Sequence, residues 1–230
     1  MPRTSTVLDF KVQGAVILSA YPIHLQLKDR PAVVIGGGKV AERKTRSLLD
    51  AGAVITVISP VVTSAIQSWV GEGRVIWKNK TFQRDDVKDA FLIIACTNDR
   101  SVNGEVYEAC NGRQLVNIAD DPEKSTFTVP AVLHRGRLCL SVSTSGASPG
   151  LSKQIVERLE SEFDESYEEY LEFLFTARKR ILGAESDPIR KKQLLSQLLD
   201  ARFAELTKQR EMKERNRLLN RLISEGKLDT

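Results

Sequence analysis

The sequence predicts an α/β fold: a doubly wound parallel sheet in the first half, then a β region, then a C-terminal helical domain. Three observations carry this expectation. From residue 31 to 120, short runs of branched apolar residues alternate with helical stretches. A glycine cluster, Gly36-Gly37-Gly38, stands where the first such run gives way to the first such helix. Beyond residue 148 the apolar spacing is helical throughout.

Residues 21–27 alternate Ile23, Leu25 and Leu27 with His24 and Gln26, the pattern of a half-buried strand. Lys28 to Pro31 turns the chain, and "AVVIG" reads as a short strand buried on both faces. A helix follows over 39–51, closed by Gly52 just past its end. "VITVIS" (54–59) is the next strand. Residues 61–70 form a helix stopped by Gly71 and Gly73, and "VIWK" (75–78) is a strand. A short helix around 84–89 precedes "AFLIIACT" (90–97), the most apolar strand of the chain. Helix 101–110 and strand "LVNIAD" (115–120) complete the series. Strand alternating with helix implies parallel strands joined by crossover helices. The grammar then changes. Residues 126–144 hold two β-rich runs around Arg135-Gly136, a hairpin outside the parallel sheet. Ser148-Pro149 is a helix start, a capping serine before proline at the first helical position. From there to about 225 the chain is helical, broken near Gly183 to Pro188, and leucines 194, 195, 198, 199, 206, 218, 219 and 222 share one apolar face. The organisation expected is a mobile extension (1–19), a nucleotide-binding domain (20–125), a β region (126–148) and a helical domain (149–230). A lone hairpin has too little surface to be stable, so two copies are expected to pair about a twofold axis as a homodimer.

Composition narrows the classes. The chain has 230 residues, 41% hydrophobic and 28% charged, which suits an ordinary globular protein. No apolar run approaches the roughly 20 residues that span a bilayer. "VQGAVILSAYP" is too short and too poorly flanked for a signal segment. Cys96, Cys110 and Cys139 are an odd set without CxxC spacing, so a reducing cytoplasm is expected rather than disulfides or a cysteine zinc site. The pI is about 9.0, yet residues 1–150 carry 18 cations against 14 anions and residues 151–230 carry 16 against 16. Without blocks of like charge, nucleic acid is not expected, and an anionic small molecule suits the mild excess. His24 and His134 read as strand histidines, and no metal-ligand set is legible.

Gly36-x-Gly38-x-x-Ala41, after a strand and opening a helix, is the pattern of a Rossmann-like dinucleotide site. Gly36 permits the turn, Gly37 lies between, and Gly38 lets a pyrophosphate approach the main chain. The helix N-terminus, with Lys39 and Val40, adds unpaired N–H groups and partial positive charge. The second strand ends Ile58-Ser59-Pro60-Val61, without the acid that usually holds the adenosine ribose. Ser59, Pro60 and Val61 would take that place. The missing acid leaves NADP open, but no arginine follows to hold a 2′-phosphate, so the cofactor expected is NAD. A rival reading of the same glycines is a non-catalytic nucleotide-sensing module.

Four blocks in order sharpen the expectation: "YPIHLQLKDRPAVVIGGGKVAERKTRSLLDAGAVITVISP", "LIIACTNDRSVNGEV", "LVNIADDPEKSTFTVPAVL" and "LSVSTSGASPGLSKQIVERLE". Together, over roughly residues 20–165, they resemble the siroheme-synthase dehydrogenase family. The resemblance implies an N-terminal NAD domain, a β dimerisation region and a C-terminal helical domain. It implies oxidation of precorrin-2 to sirohydrochlorin, and some members also insert ferrous iron. Asp120, within "NIAD", matches the family's catalytic aspartate and stands at the carboxyl edge of the sheet, where it can accept a proton. Thr97 is placed to touch the nicotinamide half, Asp99 to cap the next helix, and Asp121 to hold the turn at Pro122. The substrate is a polycarboxylate, so Arg113, Lys124, Arg135 and Arg137 are candidates to bind it. Thr144 lies where the family can carry a phosphorylated serine.

Overall fold

A computed structural model describes residues 20–226. The chain divides into two compact units, Ala20–Val129 and one containing Pro130–Thr230. The extension expected over residues 1–19 lies outside the described residues.

The first unit is a five-stranded parallel sheet in the order β3-β2-β1-β4-β5. Its strands are β1 (Pro31–Ile35), β2 (Val54–Ile58), β3 (Val75–Lys78), β4 (Leu92–Ala95) and β5 (Leu115–Ile118). The crossovers are α1 (Lys39–Asp50), α2 (Ser64–Gly71), a single turn at Arg84–Val87, and α3 (Arg100–Ala109). β4 is buried along its whole length, as a strand covered by helices on both faces must be. Side chains alternate between two cores. Val34, Ile55, Val57 and Ile94 pack with Ala41 and Leu48 of α1 and Ile66 of α2. Val33, Ile35, Ile93 and Val116 pack on the other face with Val106 of α3 and Val87. β1 is the hinge of the topology: β2 pairs on one side, Pro31↔Val54 to Ile35↔Ile58, and β4 on the other, Ala32↔Leu92 to Ile35↔Ala95. Strand order therefore reverses between β1 and β4, and such a reversal opens a crevice beyond the strands' carboxyl ends.

One expected strand is absent. Residues 21–27 have no regular structure, Tyr21 and Ile23 are exposed, and only Leu27 of the alternating set is buried. Alternation makes a strand only where an edge can accept it, and both sides of β1 are taken by β2 and β4. The helix expected from residue 61 begins at Ser64, because the side chain of Thr63 caps it by accepting from the Ile66 N–H.

The second unit opens with an antiparallel hairpin, β6 (Ala131–Arg135) and β7 (Leu138–Val142), turned at Gly136 with φ +54°. A Cβ at Gly136 would lie 2.7 Å from Glu168 Cγ, so the tip sits hard against the following helices. These are α4 (Pro149–Glu162), α5 (Ser166–Ala184), α6 (Pro188–Gln197), α7 (Ala201–Lys208) and α8 (Met212–Glu225). Ser148 caps α4 by accepting from the Leu151 N–H. Phe173, Ile181, Leu194, Phe203, Leu219 and Leu222 form their core. The long helical stretch expected after Pro188 is three helices, because Asp200 caps a new start and Arg210 turns the chain at φ +61°.

Candidate active site

The three glycines are not equivalent. Gly36 has φ +115°, and a Cβ there would stand 2.8 Å from the Cys96 carbonyl oxygen. A Cβ on Gly37 would stand 1.9 Å from the Val61 carbonyl oxygen. Both are therefore demanded by the protein's own backbone, where the end of β1 passes the residues after β4 and β2. At Gly38 a Cβ would meet nothing within 4 Å. Gly38 is the N-cap of α1 and supplies no side-chain acceptor, so the first N–H groups of the helix are left for something else. A cavity of about 530 Å³ opens here, lined by Gly38, Ser59, Val61, Phe82, Thr97 and others. Ser59 Oγ donates to Val61 O at 2.7 Å, and Trp77 Nε1 donates to Ser59 O at 2.8 Å, which fixes the end of β2 beside the glycine turn. Pro60, Val61 and Val40 are exposed. Lys39 Nζ stands 3.2 Å from Glu42 Oε2. A hydrogen bond from Thr63, then one from Lys39, holds the Glu42 carboxyl below its usual range.

Behind the turn, burial pushes the Cys96 thiol up to about 11. Burial, then the charge of Arg43, lowers Lys44. The thiol contribution to stability is thus complete below about pH 9 and lost as pH rises through about 11. We expect wild-type stability to fall over that window more steeply than that of Cys96→Ala, as chemical denaturation at successive pH values would show. We also expect Cys96 of the native chain to resist thiol reagents at pH 8.

Across the crevice, β4 ends at Ala95 and leads through Thr97 to Asp99, whose side chain caps α3 by accepting from the Ser101 N–H. Asn103, in the first half of α3 and only 2% exposed, is fully engaged. Its Oδ1 accepts from Thr97 Oγ1 at 2.8 Å and from the Thr97 N–H at 3.2 Å. Its Nδ2 donates to Thr97 O at 3.2 Å and to Asp120 Oδ1 at 2.9 Å. Asp120 lies in the turn after β5. Its second oxygen is 3.3 Å from Arg100 Nε, and its side chain is 33% exposed. Asp121 holds the next turn, accepting from the N–H groups of Glu123 and Lys124. A recess of about 300 Å³ is lined by Arg100, Asn103, Asp120, Asp121 and Lys124 among others.

The expected site residues thus separate into groups. Gly36, Gly37, Gly38, Ser59, Pro60, Val61 and Thr97 line one cavity of the first unit, and Asp120 and Lys124 line the recess. Arg113 lies before β5, at the amino end of the strand, so the whole of β5, roughly 10 Å at about 3.3 Å per residue, separates it from the carboxyl end. Arg135 and Arg137 belong to the second unit. Arg135 donates to His134 O at 2.9 Å, while Arg137 pairs with Glu172 at 2.7 Å and lies over the Phe175 ring. The Thr144 hydroxyl lies within 3.2 Å of Ser148 O, Ser148 N and Ser152 Oγ, where it shapes the entry to α4. Two residues went unnoticed in the sequence, Asn103 and Arg100. The signal for Asn103 was there: a polar residue of poor helix propensity on the face that Val106 buries. Among the described residues, no group of three His, Cys, Asp or Glu is placed to hold a metal, and no helix is long and apolar enough to cross a membrane.

The chain is similar to known proteins over most of its length. An NAD(P)-binding family model matches residues 23–131, and a SirC C-terminal domain model matches residues 167–212. A precorrin-2 dehydrogenase of Priestia megaterium is 40% identical over 192 residues, which is 83% of this chain and 95% of that protein. One from Bacillus subtilis is 34% identical over 159 residues, 69% of this chain and 98% of the other. A siroheme synthase of Photobacterium profundum is 36% identical over 186 residues, 80% of this chain but 40% of the longer protein. The solved structure of SirC, a precorrin-2 dehydrogenase, superposes with a TM-score of 0.75 at 38% identity, covering 86% of this chain and all of the other.

Proposed function

The chain belongs to the precorrin-2 dehydrogenase family, and from that premise we propose how its own residues carry the reaction. It oxidises precorrin-2 to sirohydrochlorin in siroheme biosynthesis, with NAD as its cofactor. The observation that best supports this division of labour is that the open backbone at Gly38 and the carboxylate of Asp120 stand at the same carboxyl edge of one sheet.

The residues present fit a dinucleotide. Space for a Cβ at Gly38 is space for an anion against the main chain, and the uncapped N-terminus of α1 offers donors to it. Gly36, Gly37, Gly38, Lys39 and Val40 would hold the pyrophosphate, Ser59, Pro60 and Val61 the adenosine ribose, and Thr97 the nicotinamide half. When bound, NAD supplies a hydride acceptor. Asp120 takes the proton lost from the substrate: Asn103 anchors one oxygen, an exposed Arg100 pairs with the other, and a third of the side chain remains exposed. Lys124 and Arg100, on the rim, would meet substrate carboxylates. The three free thiols suit a reducing cytoplasm.

The test is an anaerobic assay of the purified chain with precorrin-2, following the sirohydrochlorin chromophore. Turnover with NAD is expected. Absence of nucleotide-dependent oxidation would remove the reading, and preference for NADP would remove the cofactor choice. Ferrous iron added after oxidation reads iron insertion in the same cuvette.

For assembly we propose a homodimer through the β6–β7 region. A two-stranded sheet is marginal by itself, and Val132 on β6 remains partly exposed. Sedimentation at micromolar concentration should give twice the chain mass, and a monomer there would contradict the proposal.

A further inference from the structure

We propose that Asn103 is a positioning residue: one buried amide that holds the Asp120 carboxylate and the Thr97 loop in a common register. The inference rests on the reading of Asp120 as the proton acceptor. Among the described contacts, this amide is the direct hydrogen-bonded link between the residues after β4 and those after β5 at the edge where the chemistry is placed.

Burial makes the choice of residue informative. A buried amide is tolerated only when its hydrogen bonds are made, and an apolar side chain of similar volume would fill the space at less cost. Valines occupy neighbouring turns of the same helix, with Val106 fully buried. Capping does not require Asn103, because Asp99 already serves the start of α3. Three of its four hydrogen bonds are spent on Thr97, covering the N–H, the carbonyl and the hydroxyl. That rigid grip turns the remaining Nδ2–H into a fixed pointer, aimed at Asp120 Oδ1 at 2.9 Å. The other tie on Asp120 is different in kind, since the Arg100 side chain is 88% exposed and free to leave for a substrate carboxylate. Asn103 is the anchor that stays when substrate arrives. A general base must lie within hydrogen-bond reach of its proton, and a shift of about 1 Å at such a group is felt strongly in the rate.

A double-mutant cycle between Asn103 and Asp120 tests this, read as kcat, KM for precorrin-2, NAD affinity and thermal unfolding. Asn103→Ala is expected to lower kcat about 10- to 100-fold, the scale seen when a supporting hydrogen bond behind a functional group is lost. KM for precorrin-2 should move less than about threefold, and NAD affinity should fall less than kcat does, because the loosened Thr97 is one contact among several at the nucleotide cavity. Asn103→Asp keeps the size and the acceptor for Thr97 but loses the donors toward both Asp120 and Thr97 O and sets a second carboxylate against Asp120; it should lower kcat at least as much, with thermal unfolding checking that the chain still folds. In an Asp120→Asn background, Asn103→Ala should cost less than about twofold more, because the two act as one unit. Additive losses, or wild-type kcat in both Asn103 variants, would overturn the positioning role. A near wild-type rate in Asp120→Asn alone would instead overturn the reading of Asp120, whatever the Asn103 variants do.

Discussion

Asp120→Asn lowers precorrin-2 oxidation by about 10² to 10⁴-fold, the range expected when a positioned general base is removed. The substitution keeps size and shape. Its amide oxygen can still accept from Asn103, so the turn after β5 is retained. Stability should barely change, since the ion pair it loses involves a largely exposed Arg100, and such pairs contribute at most about 1 kcal/mol. NAD affinity should also hold, because the glycine turn follows β1, with β4 lying between β1 and β5 in the sheet. Steady-state kinetics with calorimetry on the same preparation separates these outcomes. A rate within about threefold of wild type would remove Asp120 from the mechanism and send the proton to water or another carboxylate.

Gly38→Asp abolishes NAD binding while leaving the fold intact. A Cβ at this position meets open space and φ is −82°, so no strain follows. Aspartate is moreover a favoured N-cap, and α1 has none, so the helix itself should gain. The loss falls on the ligand. A carboxylate about 4 Å from a phosphate costs about 4 kcal/mol at an effective dielectric near 20, roughly a thousandfold in Kd. The new side chain also supplies the α1 N–H groups from within. Gly37→Ala should behave in the opposite way and destabilise the protein, since its Cβ would strike the Val61 carbonyl. Calorimetric titration with NAD and thermal melts of the two variants distinguish a ligand-facing glycine from a packing one. Wild-type affinity in Gly38→Asp would contradict the assignment.

Much of the nucleotide-binding unit is legible before folding, because its signals are local. "VIWK" forms a strand over the same four residues, and the glycine cluster falls between β1 and α1 as its spacing requires. What stays hidden depends on partners distant in sequence. Whether "YPIHLQL" forms a strand depends on a free edge beside it, and β2 and β4 leave none on β1. Which glycine has open space beside it depends on Cys96 and Val61, remote from the turn. The usefulness of Asn103 appears only when Thr97 and Asp120, on two different turns, come within reach of one amide. Arg113 shows the converse: a cation close to Asp120 in sequence lies a whole strand away in space.

The order of strands in the sheet also dictates a schedule for synthesis. β1 is central, yet its second neighbour is encoded far downstream: Val33 pairs with Ile93, sixty residues later. A nascent chain can close β1, α1 and β2 early, but one rim of β1 stays open until β4 has left the ribosome. At roughly 5 to 20 residues per second, that gap lasts several seconds. During it the run Pro31–Ile35 is an apolar strand with unpaired amides, the kind of edge that recruits other chains. Parallel pairing between remote segments is slow for the same reason. The central crevice of this sheet is therefore built late, although its first wall is made first.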